Sequence, residues 1–470
     1  MIALDFNAFA ETVQGRLNKE RFGKHRFDGV SIDTRTLVEN QLFVAIPGEH
    51  ADGHDFVKDA IKKKCAGIVV SEKYATSTKL SDRIPVIVVP DTHQALMQLA
   101  VAHHDMVKAK YIAVTGSNGK TTTKELTYAM IKTKEKSAYR SRGNFNNLYG
   151  LPLSLFEMPQ RTKFAVFEMG ISVPGEMARL AEILSPDMAI ITNVGPTHLE
   201  TLGTVENVAS EKFSLVEAMN PGAPIVINGD DRQLMAEASR HEHRYITFGL
   251  DEDNDITASR IGITEAGYPV VSIDGKGVTL KLFGNHQIYN MLAAYAACKT
   301  LGFDISDEEM NSLTYSLAPY RGEIEQVNGL TLIADCYNAN PVSMSSGLSS
   351  FRRYLDSFEQ SERRSVIVVG DMLELGDEEK TYHRKVGQLL AVLGFDFIVT
   401  VGKRSKDIHR TAIQTGFNKS KTRHFEDTEA AGEFLADFVR KGDIIFFKAS
   451  RGIALEKTIM LLKGTAFRKN

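Results

Sequence analysis

Residues Val114 to Thr122 read V-T-G-S-N-G-K-T-T, after the apolar run Tyr111-Ile112-Ala113 and ahead of a helical pattern. A strand that turns through glycines into a helix aims backbone N–H groups and the positive end of a helix dipole at one point. An anion is favoured there, and a polyphosphate most of all. Gly116 and Gly119 let the backbone approach and turn, with Ser117, Asn118 and Thr122 completing the run. Lys120 supplies a point charge, and the Thr121 hydroxyl suits Mg²⁺. The strict pattern wants a first glycine at position 114, where this chain has Val. The expectation is a nucleoside triphosphate site.

Further chemistry-bearing residues follow later strands. Phe167-Glu168-Met169-Gly170 puts an acid at a strand end, placed as a Mg²⁺ ligand or a base. His198, in Thr197-His198-Leu199-Glu200, falls on a loop at the same sheet edge. Lys212 lies in the helical stretch Glu206 to Met219 and by itself reads as a solvated helix lysine. Asn290, in G-N-H-Q-I-Y-N, either meets a nucleobase or packs locally. Asp335-Cys336-Tyr337-Asn338-Ala339-Asn340-Pro341, Gly370-Asp371-Met372-Leu373-Glu374 and Lys448-Ala449-Ser450-Arg451-Gly452 close three strands with polar groups. Strand carboxyl ends are where open α/β sheets bind ligands. Arg321 and Arg451 are fork-shaped donors suited to phosphate or carboxylate. Ser31-Ile32-Asp33-Thr34-Arg35 reads only as a turn.

Short β-rich runs alternate with helical patterns along the chain, which predicts α/β layers with parallel sheets. Runs at 42–46, 67–70 and 85–89 and a helix over 92–107 precede the loop. Strands at 111–115, 164–168, 188–192 and 224–228 follow, then an antiparallel patch over 255–283 and a helix over 287–301. A third set comprises 330–335, 365–369, 397–401 and 443–447. The 470 residues exceed one ordinary core, and joints near 107–110 and 316–321 divide them into domains 1–108, 109–318 and 319–470. A formal charge of -3 argues against nucleic acid. No apolar run nears the roughly 20 residues needed to cross a bilayer. Met1 to Lys24 carries Asp5, Glu11, Lys19 and Glu20, unlike a signal peptide. Three scattered cysteines argue against a disulfide framework or zinc site, so a cytoplasmic protein is expected.

The phosphate loop, G-N-F-N-N-L-Y-G-L-P at 143–152, T-H-L-E and G-N-H-Q-I-Y-N-M-L-A-A resemble the motifs of the Mur ligases. These are ATP-dependent amide-forming enzymes of peptidoglycan precursor synthesis. The resemblance spans essentially the whole chain. D-C-Y-N-A-N-P-V-S-M at 335–344 and G-D-M-L-E-L-G at 370–376 are similar to the branch that adds D-alanyl-D-alanine. There is no D-N-P-R motif of the diaminopimelate-adding kind. Thr34 stands where the family often has Ser, and K-A-S-R-G replaces K-G-S-R-G.

The resemblance implies a small N-terminal α/β domain, a central P-loop ATPase-type parallel sheet and a C-terminal Rossmann-like domain. It implies ATP on Gly116 to Thr122, with Asn290 at adenine, Asp335 at ribose and Arg321 at phosphate. Thr121 and Glu168 would hold one Mg²⁺, and Glu168, His198 and a carbamylated Lys212 a second. Lys120, His198 and Lys212 would be the catalytic groups. Asp33, Thr34 and Arg35 would meet the uridine-diphosphate end of UDP-N-acetylmuramoyl-tripeptide. Asn144 and Asn147 would face the muramoyl-peptide or a metal, and Asn338, Asn340 and Ser343 the D-alanyl-D-alanine. A monomer is expected, with no membrane insertion. A folylpolyglutamate synthase-like ligase and a P-loop kinase are the alternatives.

Overall fold

Apolar β-branched runs fold into three sheets in this protein, whose computed structural model describes residues 4–315, 319–358 and 363–464. The first sheet runs Arg16–Leu17, Val86–Val89, Gly67–Ser71, Gln41–Val44 and Gly29–Ser31. It is parallel except at the Arg16–Leu17 edge. The third runs Glu323–Val327, Leu330–Ala334, Ile444–Lys448, Ser365–Gly370, Phe397–Val401 and Thr422–Phe425. Only its Glu323–Val327 edge is antiparallel.

The central sheet has nine strands. Lys110–Thr115 sits between Phe164–Glu168 on one side and Met188–Ile191 on the other, parallel to both. The chain therefore builds outward to Phe164–Glu168 and the Ala138–Arg140 edge, then crosses back to Met188–Ile191, Ile225–Asn228 and Tyr245–Gly249. Such a reversal opens a crevice at the strand's carboxyl end, where the phosphate loop begins. Ile256–Ile263, Pro269–Ile273 and Lys276–Thr279 extend the sheet, the last two pairings antiparallel, as the alternation over 255–283 predicts.

The α/β class holds, and each strand named from the sequence is present within about two residues. Six strands among the described residues are not named from the sequence: Arg16–Leu17, Gly29–Ser31, Ala138–Arg140, Glu323–Val327, Thr422–Phe425 and Tyr245–Gly249. All but the last lie at sheet edges. An edge strand buries too little to impose an apolar pattern. Residues 316–318 of the second expected joint lie outside the described residues.

The cores divide unequally. Phe6, Phe9, Leu42 and Leu96 belong to one continuous apolar cluster with Leu151, Phe167, Leu180 and Ile191. The joining element is the helix Thr92–Met106, started by Asp91, whose carboxylate accepts the His93 and Gln94 N–H groups. It packs on the helices Gly150–Glu157 and Glu176–Leu184. The first two sheets are thereby fused. The C-terminal sheet has a cluster of its own on each face, one of which also takes in Phe283 of the central domain. There Phe351 stacks between Phe395 at 5.6 Å and Phe446 at 5.4 Å. Phe351→Ala should destabilise this domain by about 3–5 kcal/mol. Calorimetry should show the loss in the transition of the C-terminal part, with the fused N-terminal and central part little changed.

Candidate active site

The loop Gly116–Gly119 is pinned from two sides. The Ser117 and Asn118 N–H groups donate to the backbone and side-chain oxygens of Asn193, each at 2.9 Å. The Asn118 side-chain oxygen accepts from Asn340 of the C-terminal domain at 2.7 Å. Gly116 holds φ 144° and Gly119 φ 82°. A Cβ would lie 1.9 Å from the Thr192 hydroxyl at Gly116 and 2.1 Å from the Asn290 carboxamide at Gly119. Neither the backbone angle nor the space admits a side chain.

Lys120 opens the helix Lys120–Lys134 and turns its amine back onto the Gly116 carbonyl at 2.8 Å. Desolvation lowers its pKa, and Arg321 adds repulsion against the pull of Glu168. One turn on, the fully buried Lys124 donates to the carbonyls of Ser141 and Gly143, each at 2.9 Å. That ties down the segment carrying Asn144, Asn146 and Asn147.

Glu168 ends its strand buried. One oxygen accepts from the Thr121 hydroxyl at 2.7 Å and the other from Asn146 at 2.8 Å. Asn146 was not singled out in the sequence, where N-F-N-N does not reveal which amide turns inward. Asn147 instead accepts from the Tyr149 and Gly150 N–H groups and starts the helix Gly150–Glu157.

His198 holds φ 55°, and its Nδ1 lies 2.6 Å from the carboxylate of Glu374, a C-terminal-domain residue at φ 63°. The bond to His198 holds the Glu374 carboxyl below the usual carboxylate value. Both residues occupy a backbone region that costs non-glycine residues about 1–3 kcal/mol, a strain that clusters at functional sites. The sequence places Glu374 only within a strand-closing loop and gives no sign of this pairing.

Lys212 is not a solvated helix lysine. It is 1% exposed, because its face of the helix Val205–Glu217 turns inward. Burial drives its amine pKa well below the ordinary value, with Lys120 adding repulsion and Glu211 opposing. Among the described residues its amine has no hydrogen-bond or ion-pair partner. It lies outside the lining of the main cavity.

That cavity, of about 310 Å³, gathers Ser117 to Thr122, Asn144, Asn147, Glu168, His198, Asn290, Arg321, Asp335, Asn338, Asn340 and Ser343. Gly116 is outside that lining, and its carbonyl accepts from the Lys120 amine. Asp335 is ion-paired to the buried Lys448 at 2.7 Å, a partner supplied by the last strand. Asn290 donates to Gln287 at 2.8 Å. Asn340 and Ser343 form a capping box at the start of the helix Pro341–Asp356, which commits most of their polar atoms. The Asn338 side-chain oxygen accepts from the Ala339 N–H at 2.9 Å, and among the described residues its amide N–H₂ has no acceptor. Asp33 lines a separate cavity with Asn144 and Asn147, whereas Thr34 and Arg35 lie outside both linings, Arg35 bound to Asp33 at 2.7 Å. Among the described residues no three His, Cys, Asp or Glu side chains converge on a point. Mg²⁺ does not require that, because it is commonly held by one or two carboxylates, waters and the substrate's phosphates.

A glycine-rich loop of the phosphate-binding kind thus stands at the switch point of one α/β sheet, roofed by a second α/β domain and fused to a third. The family model described as Mur ligase middle domain matches residues 114–298. Those described as Mur ligase, glutamate ligase domain, and Mur ligase family, catalytic domain, match 321–451 and 26–104. The UDP-N-acetylmuramoyl-tripeptide–D-alanyl-D-alanine ligase of Bacillus subtilis is 33% identical over 462 residues, covering 98% of each chain. Two solved structures agree. MurF from Acinetobacter baumannii has a TM-score of 0.85 at 26% identity, over 98% of each chain. MurF from Thermotoga maritima in complex with ADP has 0.80 at 29%, over 93% of this chain and 97% of that one. The chain belongs to the Mur ligase family.

Removing the carboxylate in Glu374→Ala should loosen the C-terminal domain from the fused pair. Small-angle scattering should show a larger radius of gyration, and ATP-dependent turnover should fall about tenfold. Thermal stability should change by less than about 1 kcal/mol, since the pair is half exposed.

Proposed function

We propose that this chain is the ATP-dependent ligase that joins D-alanyl-D-alanine to UDP-N-acetylmuramoyl-tripeptide in the cytoplasm, acting as a monomer. The observation that carries this reading is the single cavity in which the phosphate loop, Glu168 and the D-C-Y-N-A-N-P segment face one another. The name of the Bacillus subtilis relative and the ADP in the Thermotoga maritima structure support it. In this reading residues 1–108 take the UDP end through Asp33, 109–318 hold ATP, and 319–470 receive the dipeptide through Asn338.

The residues present fit the nucleotide. Loop N–H groups and Lys120 suit the phosphates, Asn290 the adenine, Asp335 the ribose and Arg321 a phosphate. They also fit Mg²⁺, for which Thr121 and Glu168 already lie within hydrogen-bonding distance, with His198 on the same cavity. Bound there, the metal would offset charge on the phosphates. Lys212 fits carbamylation. A desolvated, neutral amine can add to CO₂ and release a proton, giving an anionic oxygen ligand where an ammonium would repel a cation.

The tripeptide carboxylate attacks the γ-phosphorus of ATP, the bond to the bridging oxygen breaks, and ADP leaves. The amine of D-alanyl-D-alanine then attacks the acyl carbon, a proton is lost, and phosphate departs as the amide forms. Lys120 reduces the repulsion between the attacking carboxylate and the triphosphate. Asn340 and Glu374 hold the C-terminal domain over the cavity, which keeps water from the acyl phosphate.

Incubation with the tripeptide substrate, ATP and D-alanyl-D-alanine should release ADP and phosphate, and Lys120→Ala should lower turnover by at least about a hundredfold. Release of AMP and pyrophosphate would refute the acyl-phosphate route. With ¹³C-bicarbonate, the protein should show a carbamate carbon resonance that disappears in Lys212→Arg; its absence from the wild type would refute the modification.

A further inference from the structure

A second cavity, of about 500 Å³, lies on the opposite side of the phosphate loop from Asn290. The sheet order places it. The helix His286–Thr300, which carries Asn290, packs over Ile225–Asn228 and Tyr245–Gly249. The cavity instead lies beyond Glu168, between the phosphate-loop helix, the edge strand Ala138–Arg140 and the C-terminal domain. It meets the main cavity at Thr121, Asn144, Arg321 and Tyr337, and the Asp33 cavity at Arg142 and Asn144. With adenine at Asn290, as the ligase reading has it, this is the γ-phosphate side, where the peptide substrates must meet.

Three arginines and one carboxylate, Glu125, are the charged groups lining it. Glu125 is also neutralised by the buried Lys124 at 3.2 Å, so it leaves the arginines in excess. Arg140 contacts Glu125 through Nε at 2.6 Å, which leaves its two terminal nitrogens for a ligand. Arg142 reaches Glu157 at 3.3 Å, but both side chains are more than two-fifths exposed, so that pair is easily exchanged. Arg321 has a buried Nε with no hydrogen bond, and its guanidinium lies 3.8 Å over the Tyr337 ring. Guanidinium forks held against rings match a planar carboxylate.

We propose that this cavity is a subsite for a peptide carboxylate that the reaction does not consume. The inference rests on the ligase reading above. Each peptide substrate of that reaction keeps at least one free carboxylate, and a free carboxylate beside the γ-phosphate would repel it or compete for activation. Arg140 and Arg142 bind that group and hold it away from the phosphorus, while Arg321 stands at the border with the nucleotide cavity. Two sources share this chemistry: the C-terminus of the dipeptide, and a carboxylate of the UDP-linked peptide.

Initial rates and calorimetric binding on the full chain test this, in wild type, Arg142→Gln, Arg142→Lys and Arg140→Gln. The wild type should prefer D-alanyl-D-alanine to its C-terminal carboxamide by about tenfold or more. Arg142→Gln should shrink that preference below about threefold and Arg142→Lys should restore part of it, with KM for ATP unchanged. If the preference that collapses is instead between a UDP-tripeptide ending in diaminopimelate and its side-chain monoamide, the UDP-linked peptide supplies the carboxylate. Either collapse supports the subsite. Persistence of both preferences in Arg142→Gln and Arg140→Gln, or their absence from the wild type, overturns it. Arg142 is exposed, so its variants decide the matter if Arg140→Gln fails to fold. Failure of the wild type to release ADP would be a separate result, refuting the ligase reading and the inference with it.

Discussion

The phosphate loop can face a polyanion only because its own polar groups are held by something other than solvent. Asn193 fixes the Ser117 and Asn118 N–H groups from the neighbouring strand end, and Asn340 fixes the Asn118 side chain from another domain. The remaining donors are left converging on one point. Most other features of the site follow from keeping that point rigid and dry. Two glycines make the close approach, Lys124 anchors the next segment, and Glu168 is locked between Thr121 and Asn146. A preorganised field of this kind needs no reorganisation when charge moves, which is where much catalytic stabilisation arises.

Three buried lysines near this point do different work because their surroundings differ. Lys124 is fully satisfied by two carbonyls and Glu125 and acts as a structural strut. Lys448 is paired with Asp335 and orients it. Lys212 has neither kind of partner among the described residues, and burial drives its amine pKa well below the ordinary value. Residue type alone would not separate the three. Burial and hydrogen-bond partners do.

Much of this was legible in the sequence because it is encoded locally. The phosphate loop, the long helices and the buried strands each carry a continuous pattern of apolar spacing, glycine placement and caps. The illegible parts depend on contacts distant in sequence. Glu374 and His198 meet only because two domains close, and Lys448 reaches Asp335 only because the last strand inserts beside an earlier one. Lys212 looked solvated because its helix is amphipathic in composition while the packing decides which face is inside. Asn340 and Ser343 line the cavity as their motif leads one to expect, and they also build the start of a helix, a local role that the motif alone does not reveal.

The apolar cluster that fuses the first two sheets has a geometric consequence. The hollow beside Asp33 and the loop around Lys120 are mounted on one rigid frame, so the gap between them is fixed rather than adjustable. A substrate that must be gripped at one end and activated at the other is then measured against that gap. One too short leaves its reactive end out of reach, and one too long overshoots. Under the proposed function the frame would serve as a ruler, discriminating by length before any side chain inspects the substrate's chemistry.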